Sequence, residues 1–135
     1  GASRMQQVIV KRLNLIAARS VIDSFKQFGL HATVALIIGF PEEEEQDFAE
    51  TLNFYLEMIL NPAIKPQVSI LAVLTGSGYD REAIVAELMF VDGISSMAHQ
   101  RLPTPNDLTE FILSSKRLFL SHYLPKLDYL DSRLV

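Results

Sequence analysis

The sequence predicts an α/β fold in which two parallel strands are joined by a helix. Three observations carry this prediction: an apolar, β-branched run at residues 31–38, an amphipathic segment at residues 41–60, and a second apolar run at residues 68–74. A strand, a helix and a strand in this order form a βαβ unit with a right-handed crossover. Both runs place apolar residues at odd and even positions alike, with little polarity in the second half of the first run, which is typical of parallel strands buried on both faces.

The composition allows a folded domain and excludes several classes of protein. Of the 135 residues, 49% are apolar and 21% are charged, which suits one domain with a real core. The net charge of -4 argues against a nucleic-acid-binding domain, which normally has a basic face. The chain has no cysteine, so it holds no disulfide, thiolate zinc site or thiolate-bound iron–sulfur cluster. No apolar run approaches the ~20 residues that span a bilayer, and we expect a cytoplasmic protein without a membrane partner.

The helix before the first strand has a signal at each end. Asn14 is a suitable N-cap, and Gly29 stands where a helix C-terminal glycine belongs. The spacing of the apolar residues between them predicts the buried face, which comprises Ala17, Val21, Phe25 and Phe28, with Ile22 beside them.

The helix between the two strands starts with an acidic segment. Pro41 lies near its start, and the glutamates at residues 42–45 fill the predicted first turn, where the helix dipole favours negative charge. Clustered carboxylates also suit magnesium or calcium, although consecutive carboxylates on a helix point in different directions. The predicted buried face consists of Phe48, Leu52, Tyr55 and Ile59.

The C-terminal part of the chain has weaker patterns. We predict a helix at residues 81–90, an irregular segment at 91–102, and a last helix with Thr104 as N-cap that ends before Pro125. The irregular segment contains the residue types of a hydrolase triad, at Asp92, Ser95, Ser96 and His99. It lacks the GxSxG elbow that would position the serine.

Two parallel strands are too few to complete a sheet. Parallel sheets are normally buried between helices and flanked by further strands. A third strand could lie at residues 8–10, or the chain could pair with another copy through a sheet edge, or it could belong to a larger sheet. We favour the larger sheet.

Three segments resemble consecutive parts of the radical S-adenosylmethionine enzymes. FGLHATVALIIGFPEEEEQDFAETLNF resembles the fifth strand and the following helix of that superfamily, in which the strand ends in IxGxP. SRMQQVIVKRLNL looks like the segment after the fourth strand, and VSILAVLTGSGY resembles the sixth strand. The resemblance covers residues 3–79 and is closest to the group that often carries an N-terminal cobalamin-binding domain.

The resemblance implies the C-terminal half of a partial (β/α) barrel. Residues 1–80 would form this half and residues 81–135 a helical extension packed on it; a complete barrel of eight units takes about 250 residues. The parent enzyme would use a [4Fe-4S] cluster to cleave S-adenosylmethionine and form a 5′-deoxyadenosyl radical. Because the cluster-binding cysteines are absent here, the piece alone would bind neither group and would be inactive. Its partner would be the missing N-terminal half of its own chain.

The resemblance also places one wall of an adenine site in this chain. The family pattern GxIxGxxE matches residues 35–42, where Ile37, Gly39 and Glu42 fit and Ala35 replaces the first glycine. On the sixth strand, Val73 would add an apolar contact. No catalytic residue and no metal ligand is predicted. The alternative function is a non-catalytic α/β interaction module that forms a homodimer through an exposed sheet edge.

Overall fold

The computed structural model of the protein describes residues 1–92 and 105–126, without the side chain of Asp107. The chain forms two compact units: the first holds residues 1–38 and 42–69, and the second holds residues 39–41 and the described residues from Ile70 onward. The first unit contains α1 (Ser3–Val8), α2 (Leu15–Gln27), β1 (Ala32–Ile38), α3 (Glu45–Ile59) and most of β2 (Ile64–Ile70). The second contains α4 (Glu82–Glu87), β3 (Met89–Phe90), α5 (Asn106–Ser114), two 3-10 helices (Lys116–Leu118 and Leu120–His122) and β4 (Tyr123–Leu124).

The α/β class is confirmed by the parallel pair of β1 and β2. The first strand begins within one residue of its predicted start, and the Ala32 N–H donates a hydrogen bond of 3.0 Å to the Ala63 carbonyl. Among the described residues this sheet has two strands and does not close into a barrel.

The predicted bounds of the second strand, residues 68–74, are wrong. The strand runs from Ile64 to Ile70 and includes Pro66, which precedes the predicted run. Proline is tolerated in an edge strand because its missing N–H can lie on the unpaired side. Leu71 and Val73 lie beyond the strand and are buried in the core of the second unit.

The prediction that β1 is buried on both faces is also wrong. Successive side chains of a strand point to opposite faces, and here only one face meets the core of the first unit. Thr33, Ala35 and Ile37 are exposed on the other face. The core comprises Leu36, Phe54, Met58 and Ile64, with Ile22, Phe25, Ala32, Val34 and Tyr55 packed around them.

Both predicted ends of α2 are confirmed, although its predicted buried face is not. Asn14 accepts the Ala17 N–H at 3.0 Å, and Gly29 follows the helix with a φ of 63°. Val21 and Phe28 are 56% and 73% exposed, whereas Ile22 and Phe25 of the same helix pack against the core.

The third helix, α3, starts later than predicted, and the face that it buries differs from the predicted face. Pro41 and Glu42 form a turn, so the helix begins at Glu45, and of the four glutamates only Glu45 lies in its first turn. Its buried residues are Asp47, Thr51, Phe54 and Met58 rather than the predicted set. By helix geometry the predicted stripe lies about 100° around the axis from this buried stripe. The buried stripe contains two polar residues, which concealed it in the sequence.

Residues 8–10 do not form the third strand that the sequence allowed. Val8 ends α1, and Val10 and Arg12 have left-handed φ values of 58° and 50°. These residues instead make the turn between α1 and α2.

The second unit has its own core and a small antiparallel sheet that the sequence did not predict. Met89 pairs with Leu124, and Phe90 pairs with Tyr123, so α4 covers only part of the predicted helix at residues 81–90. Pro105 is the N-cap of α5, while the predicted N-cap Thr104 and the triad-like Ser95, Ser96 and His99 lie outside the described residues. The core comprises Leu71, Val73, Val85, Leu88, Ile112, Leu120 and Tyr123.

No helix within residues 1–92 and 105–126 is both long enough and apolar enough to cross a membrane.

Candidate functional site

The face of the sheet that α2 and α3 leave uncovered is the first candidate for a functional surface. Ile37, one of the predicted adenine contacts, lies on this face and is 40% exposed. Ile64 belongs to the core on the other side, so alternation along β2 places its odd-numbered residues on the same uncovered face. We call this surface the open face; it consists of Thr33, Ala35, Ile37, Lys65, Gln67 and Ser69.

Gly39 directly follows β1, and its backbone requires glycine. Its φ of 86° lies in the left-handed region, and the residue is buried. An L side chain is disfavoured at such a φ, so the main chain at this turn is not screened by a Cβ atom. The residues Gly39, Phe40 and Pro41 predict the end of the strand after Ile38, which the structure confirms.

Glu42 is exposed in the turn before α3, and its carbonyl oxygen accepts a hydrogen bond from Arg4. The neighbouring Glu44 is the N-cap of α3 and forms a capping box with Asp47, whose carboxylate accepts the Glu44 N–H at 3.0 Å. Across the part of the chain that the structure describes, no group of three or more histidine or acidic side chains could hold a metal ion. Two of the four glutamates lie at the helix start: Glu44 is the N-cap and Glu45 is in the first turn.

The sequence did not reveal the ion pair that holds this helix start. The Arg4 Nε atom donates to both carboxylate oxygens of Asp47 at 3.2 and 3.0 Å, Nη2 donates to the same carboxylate, and Nη1 lies 3.3 Å from Glu44. Asp47 is only 3% exposed. The Arg4 guanidinium holds the pKa of this carboxyl below its usual value, although burial opposes the effect, and the carboxylate raises the pKa of Arg4. Because the two residues are 43 positions apart, no local pattern could predict their pairing.

The four residues predicted to line the adenine site are divided between the two units. Ile37 and Glu42 belong to the first unit, and Gly39 and Val73 belong to the second. Val73 is 1% exposed, and its side chain is enclosed by the core of its own unit. Their assignment to one binding site remains a prediction.

A groove between α2 and α3 forms a cavity in the first unit. Its volume is about 240 Å³. The guanidinium of Arg19, one of the lining residues, lies 4.6 Å from the centre of the Phe54 ring, and its Nε atom is 2.9 Å from a Glu57 oxygen. The Asn61 side chain bonds to the carbonyl of Ile22 at 3.3 Å. These contacts fasten α2 to α3. The groove is lined by Arg19, Ile22, Asp23, Phe54, Glu57, Met58 and Asn61.

Lys116 and Tyr123 form a second polar cluster that the sequence did not predict. The Lys116 ammonium donates to the Leu88 carbonyl at 2.6 Å and the Ala86 carbonyl at 3.3 Å, and it lies 4.9 Å from the centre of the Tyr123 ring. The Tyr123 hydroxyl donates to the Ile112 carbonyl at 3.1 Å. Burial lowers the pKa of Lys116 and raises that of Tyr123. Both polar groups bond to main-chain carbonyls, so the cluster supports the structure of the second unit.

No protein-family model, curated protein or solved structure matches this chain.

Proposed function

We propose that this chain is the C-terminal part of a radical S-adenosylmethionine oxidoreductase and supplies part of the wall around the adenine and the substrate. The observation that carries the proposal is the turn at the end of β1. The pattern that resembles the family has glycine at residue 39, and this residue is buried with a left-handed φ of 86°. In α/β folds, ligands bind at the carboxyl ends of parallel strands, which is where this glycine lies.

The open face gives further support. In a (β/α) barrel the helices cover the outer face of each strand, and the inner face lines the interior. The pair β1 and β2 has helices against one face, and its open face is rich in small and polar side chains, among them Thr33, Ala35 and Ser69. A piece of a barrel separated from its other strands would have this arrangement.

The residues of this chain do not fit the iron–sulfur cluster, because the chain has no cysteine. In the parent enzyme the cluster would supply the electron for cleavage of the cofactor, and the cysteines that hold it would belong to the N-terminal half. This piece would help to bind and orient the cofactor and the substrate, and alone it would be inactive. No step of the reaction is assigned to its side chains.

Each predicted contact has a distinct role in the proposal. The main chain at Gly39 would approach the flat adenine ring closely, because no Cβ atom intervenes. Ile37 would offer an apolar contact from the open face. Glu42 lies in the turn that follows Gly39 and precedes α3. The side chain of Val73 is enclosed in its core, so a contribution from this residue would come through its main chain.

The reading frame upstream of Gly1 is the most informative test. We expect it to encode a CxxxCxxC motif, and an intact frame without this motif would reject the proposal. In the longer protein, reconstituted with iron and sulfide under anaerobic conditions, we expect Gly39→Ala to reduce the yield of 5′-deoxyadenosine and weaken binding of S-adenosylmethionine.

Gly29→Ala is the matched control for this substitution. Gly29 also has a left-handed φ, of 63°, and an added Cβ would meet no atom within 4 Å, so the control imposes similar backbone strain away from the proposed site. If Gly39→Ala unfolds the protein, Ile37→Gln on the exposed face replaces it. Equal cofactor binding in wild type, Ile37→Gln and the control would contradict the adenine assignment.

The free edges of β1 and β2 favour a second candidate, an interaction module that forms a homodimer through a sheet edge. Each strand has one strand neighbour in the described part of the chain, and unpaired edges are templates for pairing with another chain. Light scattering after size-exclusion chromatography at increasing protein concentration distinguishes the two candidate functions. A stable dimer supports the module, and a folded monomer at every concentration contradicts it.

A further inference from the structure

The side of α3 that faces solvent is apolar, although this side of a surface helix is normally polar. Leu52, Leu56 and Ile59 are 42%, 50% and 50% exposed, and Ala49 before them is exposed too. These residues alternate at spacings of three and four, which is the spacing of a seam between two packed helices. They lie about 150° around the axis from the buried stripe of the same helix. We call Ala49, Leu52, Leu56 and Ile59 the outer stripe.

The charges of α3 favour an uncharged partner for the outer stripe. The helix has no basic residue, and Glu50 and Glu57 lie about 120–140° around the axis from the stripe. Both are bound within the first unit: Glu50 accepts the Ser3 N–H, and Glu57 pairs with Arg19. Glu45 is in line with the stripe but lies one turn before its first residue. A contact surface depleted of charge is typical of the centre of a protein interface, above all in homodimers.

The outer stripe is complementary to itself about a two-fold axis. In an antiparallel pair of α3 helices with this axis at the level of Phe54, residues equally far from Phe54 in opposite directions lie at the same level. Ala49 of one copy then lies beside Ile59 of the second copy, and Leu52 lies beside Leu56. A small side chain therefore faces a large one in the outer layers, and two leucines face each other in the inner layers, which suits close packing.

We propose that α3 packs antiparallel against α3 of a second copy of this chain through the outer stripe, and that this contact forms a two-fold symmetric homodimer. Phe54 and Met58 on the opposite side of α3 pack in the core with the sheet, so the contact uses neither sheet edge. The proposal therefore does not depend on the proposed function. One pair of helices buries less than about 1,200 Å² in total, the lower end of specific interfaces, so we expect the dimer to dissociate on dilution.

Sedimentation velocity from micromolar to millimolar protein measures the dissociation constant of this dimer. We expect Leu56→Glu to raise it at least about 100-fold, because each dimer loses two buried leucines. Leu113→Glu is the matched control and should leave the constant unchanged, since Leu113 is a helical leucine of the second unit with a similar exposure of 52%. A folded wild-type monomer at every concentration would overturn the proposal. A dimer that Leu56→Glu leaves intact would also overturn it, because another surface, such as a sheet edge, would then form the contact.

Cross-linking tests the antiparallel register, and it does not require Leu56→Glu to fold. The chain has no cysteine of its own, and Gln46 and Asn53 are exposed on the same flank of the outer stripe, so each can be replaced by a single cysteine. In the proposed dimer the two copies of Asn53 differ by about 3 Å in level along the helix axis, and the two copies of Gln46 differ by about 24 Å. With a bismaleimide too short to span the larger distance, we expect Asn53→Cys to give at least about tenfold more covalent dimer than Gln46→Cys. Equal yields from the two variants would overturn the proposal.

Discussion

Arg4 and Asp47 form the most extensive single contact between α1 and α3. The guanidinium uses Nε and Nη2 on the Asp47 carboxylate, and the same carboxylate accepts the Glu44 N–H at the start of α3. A carboxylate that is 3% exposed depends on these donors, because burying a charge without partners is costly.

We therefore expect Asp47→Asn to lower the free energy of unfolding by about 2 kcal/mol, the usual value for hydrogen bonds to a charged group. Urea denaturation followed by circular dichroism measures the change. Glu45→Gln is the control, because Glu45 is exposed in the same helix turn and its loss should cost less than about 1 kcal/mol. A similar effect of both substitutions would show that the ion pair is unimportant.

The pH dependence of this effect follows from the lowered pKa of Asp47. A carboxyl whose pKa is lower in the folded state stabilises the protein above the unfolded-state value, which is about 4, and loses this contribution as the pH falls through the folded-state pKa. The difference in unfolding free energy between wild type and Asp47→Asn should be constant above about pH 5 and shrink below about pH 4. A difference that grows on acidification would contradict the assignment.

At the scale of the elements, α2 has the ends that its sequence specifies. Asn14 caps the first turn, and Gly29 takes the left-handed conformation after the last turn. The Leu30 N–H bonds to the Phe25 carbonyl at 2.9 Å and the Gly29 N–H to the Lys26 carbonyl at 3.4 Å, which is the Schellman arrangement.

We expect Asn14→Ala and Gly29→Ala each to destabilise the first unit by about 1 kcal/mol, the first through a lost cap and the second through backbone strain. Hydrogen exchange of the α2 amides measures both losses of stability. Gln27→Ala is the control, since this residue is exposed and alanine is a better helix former. An effect of Gln27→Ala as large as the other two would contradict the capping interpretation.

The buried faces of the helices were less predictable than their ends. In α3 the buried stripe contains Asp47 and Thr51, and the more apolar stripe with Leu52 and Ile59 is largely exposed. Hydrophobic periodicity identifies apolar stripes but does not say which of two stripes meets the sheet. The stripe that is buried contains Asp47, whose carboxylate pairs with Arg4, 43 positions away in the sequence.

At the scale of the whole molecule, the described residues form two separate cores. Leu36, Phe54, Met58 and Ile64 form one, and Ile112 lies at the centre of the other with 0% exposure. The neighbouring Leu113 is 52% exposed, which provides a comparison of two aliphatic side chains in one turn of α5.

We expect Ile112→Ala to lower the opening free energy of the second unit by about 2–5 kcal/mol, because it removes a fully buried side chain and leaves a cavity. Leu113→Ala should change it by less than about 0.5 kcal/mol, as surface substitutions usually do. Hydrogen exchange of the Val85 and Leu88 amides reports the change within this unit. Equal effects of the two substitutions would show that α5 is not packed as described.

The sequence by itself determined the α/β class, the first strand and the ends of α2, because these depend on signals within a few residues of one another. Only the tertiary structure decided the bounds of β2, the antiparallel pairing of β3 with β4, and the buried faces of α2 and α3. Each of these depends on contacts between distant residues, such as Arg4 with Asp47 or Phe90 with Tyr123. For the candidate site, the sequence predicted a turn at Gly39, and the structure added its buried, left-handed backbone and the open face of the sheet.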